Sequence, residues 1–209
     1  MPGLHRLPRT ASLPFYDDPL QSKTITIAPL DSLELILLCH AATRAMKTGR
    51  FPAGDEPAEH DARAQVASLR ACADTRVIAS PARVARETAQ WIADSFDVVP
   101  AFDDIDYGRW RGQSIRETAG REPDAIAAWL ADPQARPHGG ESVAMLAARV
   151  ARGLAYLDET LACGRCIVVT HAIVVKVALA HGLGEPLESV YAMNLAPLSS
   201  TLLQRAAPS

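Results

Sequence analysis

Apolar positions in this chain fall into two kinds of run. "LELILL" (33–38) is nearly continuous and stops at Cys39-His40, as a strand over 33–39 buried on both faces would. "RVIAS" (76–80) and "CIVVT" (166–170) read the same way, "VVPAF" (98–102) is a weaker strand, and a last strand is expected over 198–205. Between them the apolar residues recur with helical spacing. Ala62, Val66 and Leu69 share one face of a helix expected over 59–73. "PARVARETAQWIADSF" (81–96) has proline in its first turn, and "PDAIAAWLAD" (123–132) is a further helix. The longest, 141–161, carries Val143, Leu146, Val150, Leu154, Leu157 and Leu161 on one stripe. "HAIVVKVALAHGL" (171–183) is apolar nearly all round and reads as a buried helix. Strands separated by helices predict an α/β fold: a three-layer sandwich with a mostly parallel central sheet flanked by helices. Residues 1–32, rich in proline and polar side chains with a short strand over 24–28, read as an N-terminal extension to a domain over 33–209.

Composition narrows the function classes. A chain of 209 residues, 48% of them hydrophobic, can bury one sizeable core. A net charge of −3 and the lack of a Lys/Arg cluster argue against nucleic acid and membrane surfaces as partners. No apolar run reaches the roughly 18 residues of a membrane span, and no signal peptide is read at the N-terminus. Cys39, Cys72, Cys163 and Cys166, irregularly spaced, fit a reducing cytoplasm better than a disulfide scaffold. Cys163 and Cys166 have C-x-x-C spacing, but they follow a helix and enter a strand, the reverse of a redox site. On an extended strand Cys166 lies about 16 Å from His171, and a structural zinc site needs two close ligand pairs. No metal and no cofactor are expected.

The histidines carry the candidate chemistry. His40 ends the first strand, and His171 ends "IVVT" and opens a helix. Open parallel sheets bind ligands beyond the carboxyl ends of their strands, so the two could share one pocket. The plainer alternative is two satisfied polar residues in separate loops.

Five ordered motifs resemble the histidine phosphatase superfamily, the phosphoglycerate-mutase-like fold, over about residues 33–205. Its Arg-His-Gly-Glu-Thr opening, followed by Asn and Gly-Arg-Phe, matches Cys39-His40-Ala41-Ala42-Thr43, Met46 and Gly49-Arg50-Phe51. "SPARVARETA" (80–89) resembles Ser-Pro-Leu-x-Arg-Ala-x-x-Thr-Ala, and "DIDYGRWRG" (104–112) resembles Glu-x-x-Phe-Gly-x-Trp-x-Gly with Asp104 at the acid position. "HGGES" (138–142) and "VVTHA" (168–172) match the remaining two.

The resemblance implies a phosphomonoester hydrolase working through a phosphohistidine on a small metabolite. His40 would be the nucleophile, Asp104 the acid that protonates the leaving oxygen, and His171 a donor to the phosphoryl oxygens. Two arginines normally complete such a pocket, and here both are replaced, by Cys39 and Val84. Losing one preorganised donor typically costs about 10²–10³ in rate, so weak generic phosphatase activity is expected. Thr43, Arg44, Arg50 and Arg109, with Arg111, are the candidates for substrate binding. Two other readings stay open: an enzyme using His40, His171 and Asp104 on a non-phosphorylated substrate, or a protein that binds a ligand or partner without catalysis. The segment over 102–140 would form a short lid carrying Tyr107, Trp110 and Trp129, which favours a small or partly apolar substrate.

Overall fold

The computed structural model describes residues 32–161 and 164–206. The strand expected over 24–28, and Cys163 of the C-x-x-C pair, lie outside them.

Five strands form one sheet: β1 (Ser32–Cys39), β2 (Thr75–Ala79), β3 (Asp97–Val98), β4 (Gly164–Thr170) and β5 (Ser200–Ala206). Their order is β3-β2-β4-β1-β5, and every pairing is parallel except β1 with β5. The nearly continuous apolar run of β1 is explained by its central place, with Leu35, Leu37 and Leu38 all wholly buried. Alternate side chains then serve opposite layers. Leu33, Leu35, Leu37 and Cys39 pack against the long helix α5 (Val143–Thr160) and α6 (Ala172–Leu183). Ile36 and Leu38 pack on the other face with Ala85 and Ala89 of α2 (Arg83–Gln90). The predicted three-layer α/β sandwich is therefore the observed one.

The remaining helices are α1 (Arg44–Thr48), α3 (Ile115–Arg121) and α4 (Pro123–Ala131). Three local expectations need correction. The helix expected over 59–73 is a 3₁₀ segment, Arg63–Leu69, where only Val66 of the predicted stripe is fully buried. A short stretch with so little to pack against gains too little to complete an α-helix. The strand expected over 98–102 ends at Val98, because Pro100 has no N–H for the ladder and opens a 3₁₀ turn instead. The helix expected over 81–96 spans only 83–90, its end tightening through 3₁₀-type bonds from Trp91 and Ile92.

Candidate active site

The carboxyl ends of β1, β2 and β4 open into one cavity of about 630 Å³. His40 and His171 meet there edge to face, with ring centroids 4.8 Å apart and ring planes at 72°. Strand pairing brings them together: Cys39 is in register with Thr170, and the His40 N–H donates to the Thr170 carbonyl at 2.8 Å.

The tautomer of His40 follows from its neighbour. Nδ1 lies 2.7 Å from the Ala41 carbonyl, which only accepts, so Nδ1 carries the proton and Nε2 keeps a lone pair. Burial, then the proximity of His171, lower the His40 pKa to about 4, so the ring is neutral at physiological pH. Thr88 supports the loop from behind, its hydroxyl accepting from the Ala41 N–H at 3.0 Å and donating to the Val84 carbonyl.

His171 is held by a chain of polar groups. Its Nε2 is 2.9 Å from the Ser80 hydroxyl, which is 3.0 Å from Asp103 Oδ1. An ionised carboxylate only accepts, so Ser80 donates to Asp103 and receives the Nε2–H of His171. Nδ1 of His171 is then unprotonated in the neutral ring and sits 3.6 Å from Asp104 Oδ2. Burial lowers the His171 pKa to about 4 as well.

Asp104 is the third member of the cluster. Burial raises its pKa to about 6, opposed by His40 and by the backbone N–H of Ile105. A carboxyl group tuned that high can hold and release a proton near neutral pH. Its backbone is fixed by Arg149 of α5, whose guanidinium donates to the carbonyls of Ala101, Asp103 and Asp104 while pairing with Glu141 at 2.7 Å. The Gly-Gly-Glu-Ser turn is thus structural: Glu141 orients Arg149, and Ser142 caps α5 by accepting from the Met145 N–H.

The predicted binding residues divide. Thr43 is buried in the cavity wall, where its hydroxyl caps α1. Arg50 lines the cavity and donates to the Gly112 carbonyl at 2.9 Å. Arg111 also lines it, bonded to the Ala53 carbonyl. The structure does not bring Arg44 and Arg109 to the cavity. Arg44 is exposed on α1 and is not part of the cavity wall. Arg109 is exposed outside it, ion-paired with Glu122 and 5.9 Å over the Trp110 ring. Its guanidinium, on the 3₁₀ turn Gly108–Trp110, donates to the Pro137 carbonyl and to Glu122.

Val84 lines the cavity at 4% exposure, so an apolar side chain stands where the superfamily pattern has an arginine. Cys39 points into the apolar layer beneath α6, and burial raises its thiol pKa. Cys166 is buried in β4 with its pKa pushed up to about 12 by burial. Both thiols are poor nucleophiles. Among the described residues no group of three or more His, Cys, Asp or Glu is placed to hold a metal ion, and no helix is long and apolar enough to cross a membrane.

Asp103 and Lys176 also line the cavity, and the sequence reading assigned neither. Asp103 carries no signal of its own beside Asp104. Lys176 does carry one: it is a single charge inside the apolar run "AIVVKVAL" that follows His171.

Two strand-end histidines and a buried acid at the carboxyl edge of a parallel α/β sandwich define the class of site. The model of the histidine phosphatase superfamily (branch 1) matches residues 35–207, and the chain belongs to that superfamily. A Mycobacterium tuberculosis protein named as bifunctional is 30% identical over 123 residues, 57% of this chain and 34% of its own length. The chain thus spans about a third of that curated relative. Similar solved structures include the mycobacterial glucosyl-3-phosphoglycerate phosphatase, at a TM-score of 0.74 and 22% identity over 83% of this chain and 90% of that one. The α-ribazole phosphatase of Shigella flexneri gives a TM-score of 0.71 and 22% identity over 84% and 96%.

Proposed function

We propose that the protein hydrolyses a small phosphomonoester through a phosphohistidine on His40. The observation that carries this reading is the His40 ring: Nδ1–H is anchored on the Ala41 carbonyl and Nε2 is left with its lone pair, in a cavity that Asp104 also lines. In the first step Nε2 attacks phosphorus, the phosphorus–oxygen bond to the alcohol breaks, and Asp104 gives its proton to the departing oxygen. In the second, Asp104, now a carboxylate, takes a proton from water as that water attacks phosphorus. The phosphorus–nitrogen bond then breaks, releasing inorganic phosphate and restoring His40. The relatives named as phosphatases for glucosyl-3-phosphoglycerate and α-ribazole support hydrolysis of this kind.

The cavity favours an apolar alcohol as the leaving group. Met46, Ile115 and Leu130 line it yet stay 42%, 44% and 48% exposed, beside Ile126 and Trp129. An exposed apolar wall that runs into a catalytic cleft marks where an apolar ligand sits. Glu56, Asp103, Asp104 and Asp106 line the same space and oppose polyanionic substrates.

Rapid quench with a ³²P-labelled aryl phosphate tests the mechanism. An acid-labile, base-stable label should form, vanish in His40→Ala and persist in Cys39→Ala. Turnover surviving His40→Ala, or label on sulfur, would overturn the assignment. A second reading, hydrolysis of an uncharged substrate by the same three groups, draws on Val84 and the four carboxylates. It predicts ester turnover with no phosphoryl label.

A further inference from the structure

A pocket that binds a phosphoryl dianion needs positive charge, and the two positions the superfamily pattern fills with arginine are Cys39 and Val84. The cations that line the cavity are Arg50, Arg111 and Lys176. Both arginines are engaged: Arg50 on the Gly112 carbonyl, Arg111 on the Ala53 carbonyl and 4.0 Å from Asp106. Lys176 differs. Among the described residues no carboxylate pairs with it and no hydrogen bond to its side chain is found.

Its position follows from the helix. α6 starts immediately after His171, and Ala172, Ile173 and Lys176 lie on the face turned to the cavity, one turn apart. α6 also packs over the end of β1, where Cys39 lies in the apolar layer beneath the helix. Cysteine at 39 is smaller than arginine by several heavy atoms and brings no charge to the cavity, which Lys176 of the neighbouring helix lines. Lys176 is half-buried, and desolvation pulls its pKa down. An ammonium taken partly out of water with no counter-ion is unfavourable unless an anion completes the site.

We propose that Lys176 is the phosphoryl-binding cation of this protein, supplying from α6 the charge that the superfamily pattern places on the residue before the nucleophile. The inference rests on the phosphatase reading above. An ammonium is a point charge with three donors and lacks the planar fork of a guanidinium. The site therefore holds a single phosphoryl group with less geometric selection than an arginine pair.

Five proteins test it: wild type, Lys176→Gln, Lys176→Arg, the double variant Cys39→Arg with Lys176→Gln, and His40→Ala as the inactive control. Each is assayed for kcat/KM on 1-naphthyl phosphate, for inhibition by vanadate and, by calorimetry, for phosphate binding. Lys176→Gln should lower kcat/KM by about 10²-fold, the usual effect of one lost donor, and weaken vanadate at least as much as phosphate. Lys176→Arg should retain most of both, and the double variant should recover part of what Lys176→Gln loses. Wild-type inhibition and turnover in Lys176→Gln, with His40→Ala inactive, would overturn the role of Lys176 and leave the phosphatase reading standing. Wild-type protein that turns over no phosphomonoester but binds phosphate through Lys176 would overturn the hydrolase reading alone. A wild type that binds neither phosphate nor vanadate overturns both. Circular dichroism of Lys176→Arg and Lys176→Gln separates a lost contact from a lost fold.

Discussion

The Ser80 hydroxyl stands 2.9 Å from Nε2 of His171 and hands its own proton to Asp103. Ser80 is fully buried, while Asp103 keeps nearly half its side chain in solvent. The chain Asp103–Ser80–His171 therefore links a buried imidazole to an exposed carboxylate and settles which ring nitrogen carries the proton. Ser80→Ala should leave Nε2–H without its close partner, since Asp103 Oδ1 is 3.8 Å away. An unsatisfied buried donor costs about 1–3 kcal/mol, so melting should occur several degrees lower. Activity should fall roughly 10-fold through loss of ring orientation, with Ser80→Thr recovering part of it. Nitrogen NMR of the His171 ring reads the tautomer directly. An unchanged tautomer mixture in Ser80→Ala would dismiss the relay.

The acid predicts a pH profile. His40 must be neutral, which holds above its pKa of about 4, and Asp104 must be protonated, which holds below about 6. kcat/KM on an alkyl phosphate should therefore plateau between those values and fall on either side. Asp104→Asn should abolish the alkaline limb and cost about 10²–10⁴-fold on poor leaving groups, with a much smaller effect on aryl phosphates that leave unaided. An alkaline limb that survives in Asp104→Asn would assign the acid elsewhere.

Much of this site could be read along the chain because its parts sit at strand ends. A buried parallel strand must stop where the apolar run stops, so His40 and His171 were placed by the cores of β1 and β4. Asp104 is singled out only by the resemblance of "DIDYGRWRG" to a superfamily motif. The binding cations were harder. Arg44 and Arg109 stand close in sequence to motif residues, but their direction depends on one turn of helix and on a lid contact with Glu122. Neither can be derived from spacing. Lys176 was hidden for the opposite reason: its helix is apolar on nearly every side, and only the tertiary structure, which turns it to the cavity, shows which side the charge serves.

Stability should carry the same electrostatics with opposite signs. The folded pKa of both histidines lies below the ordinary 6.5, so folding disfavours their protonated forms. Their contribution is complete above about 6.5 and is lost as pH falls toward 4. Asp104 is raised above the ordinary 3.8, so its contribution is greatest below that value and is lost as pH rises to about 6. Urea midpoints measured from pH 7 to pH 4 should fall less steeply in His171→Gln than in wild type, and Asp104→Asn should gain most relative to wild type at pH 7. Parallel curves for all three proteins would refute these shifts.

The lid should be intolerant of volume at Gly140. This residue packs against the turn Asp106–Gly108, and a Cβ there would run into the Asp106 carbonyl oxygen and the Gly108 backbone nitrogen. Neighbouring Gly139 has a φ of 80° but open space around it, so alanine there is strained without being crowded. Gly140→Ala should therefore destabilise by about 1–3 kcal/mol through overpacking. It should also lower activity, because the Glu141 N–H donates to the Asp106 carbonyl and Glu141 in turn holds the Arg149 that fixes Asp104. Gly139→Ala should lose stability with a smaller effect on kcat. Equal loss of kcat in the two variants, measured well below their melting temperatures, would show that the turn does not transmit to Asp104.

Val84 allows the reverse experiment, a gain of function. Its side chain lines the cavity at 4% exposure, on the face of α2 that the Thr88–Ala41 bond ties to the loop after His40. Arg83 and Arg86 on the same helix are exposed, Arg83 already paired with Glu87 at 2.8 Å, so neither supplies charge to the cavity. Val84→Arg would place a guanidinium among Asp104, Asp103 and the two histidines, where the carboxylates offset the cost of burying it. Phosphate and vanadate should then bind at least 10-fold tighter, and kcat/KM on aryl phosphates should rise by about 10-fold or more, short of the 10²–10³ expected for a fully preorganised donor. The new cation should also pull the Asp104 pKa down and move the alkaline limb of the profile to lower pH. A folded Val84→Arg protein with tighter vanadate binding and no gain in turnover would mean that anion capture is not what limits this site.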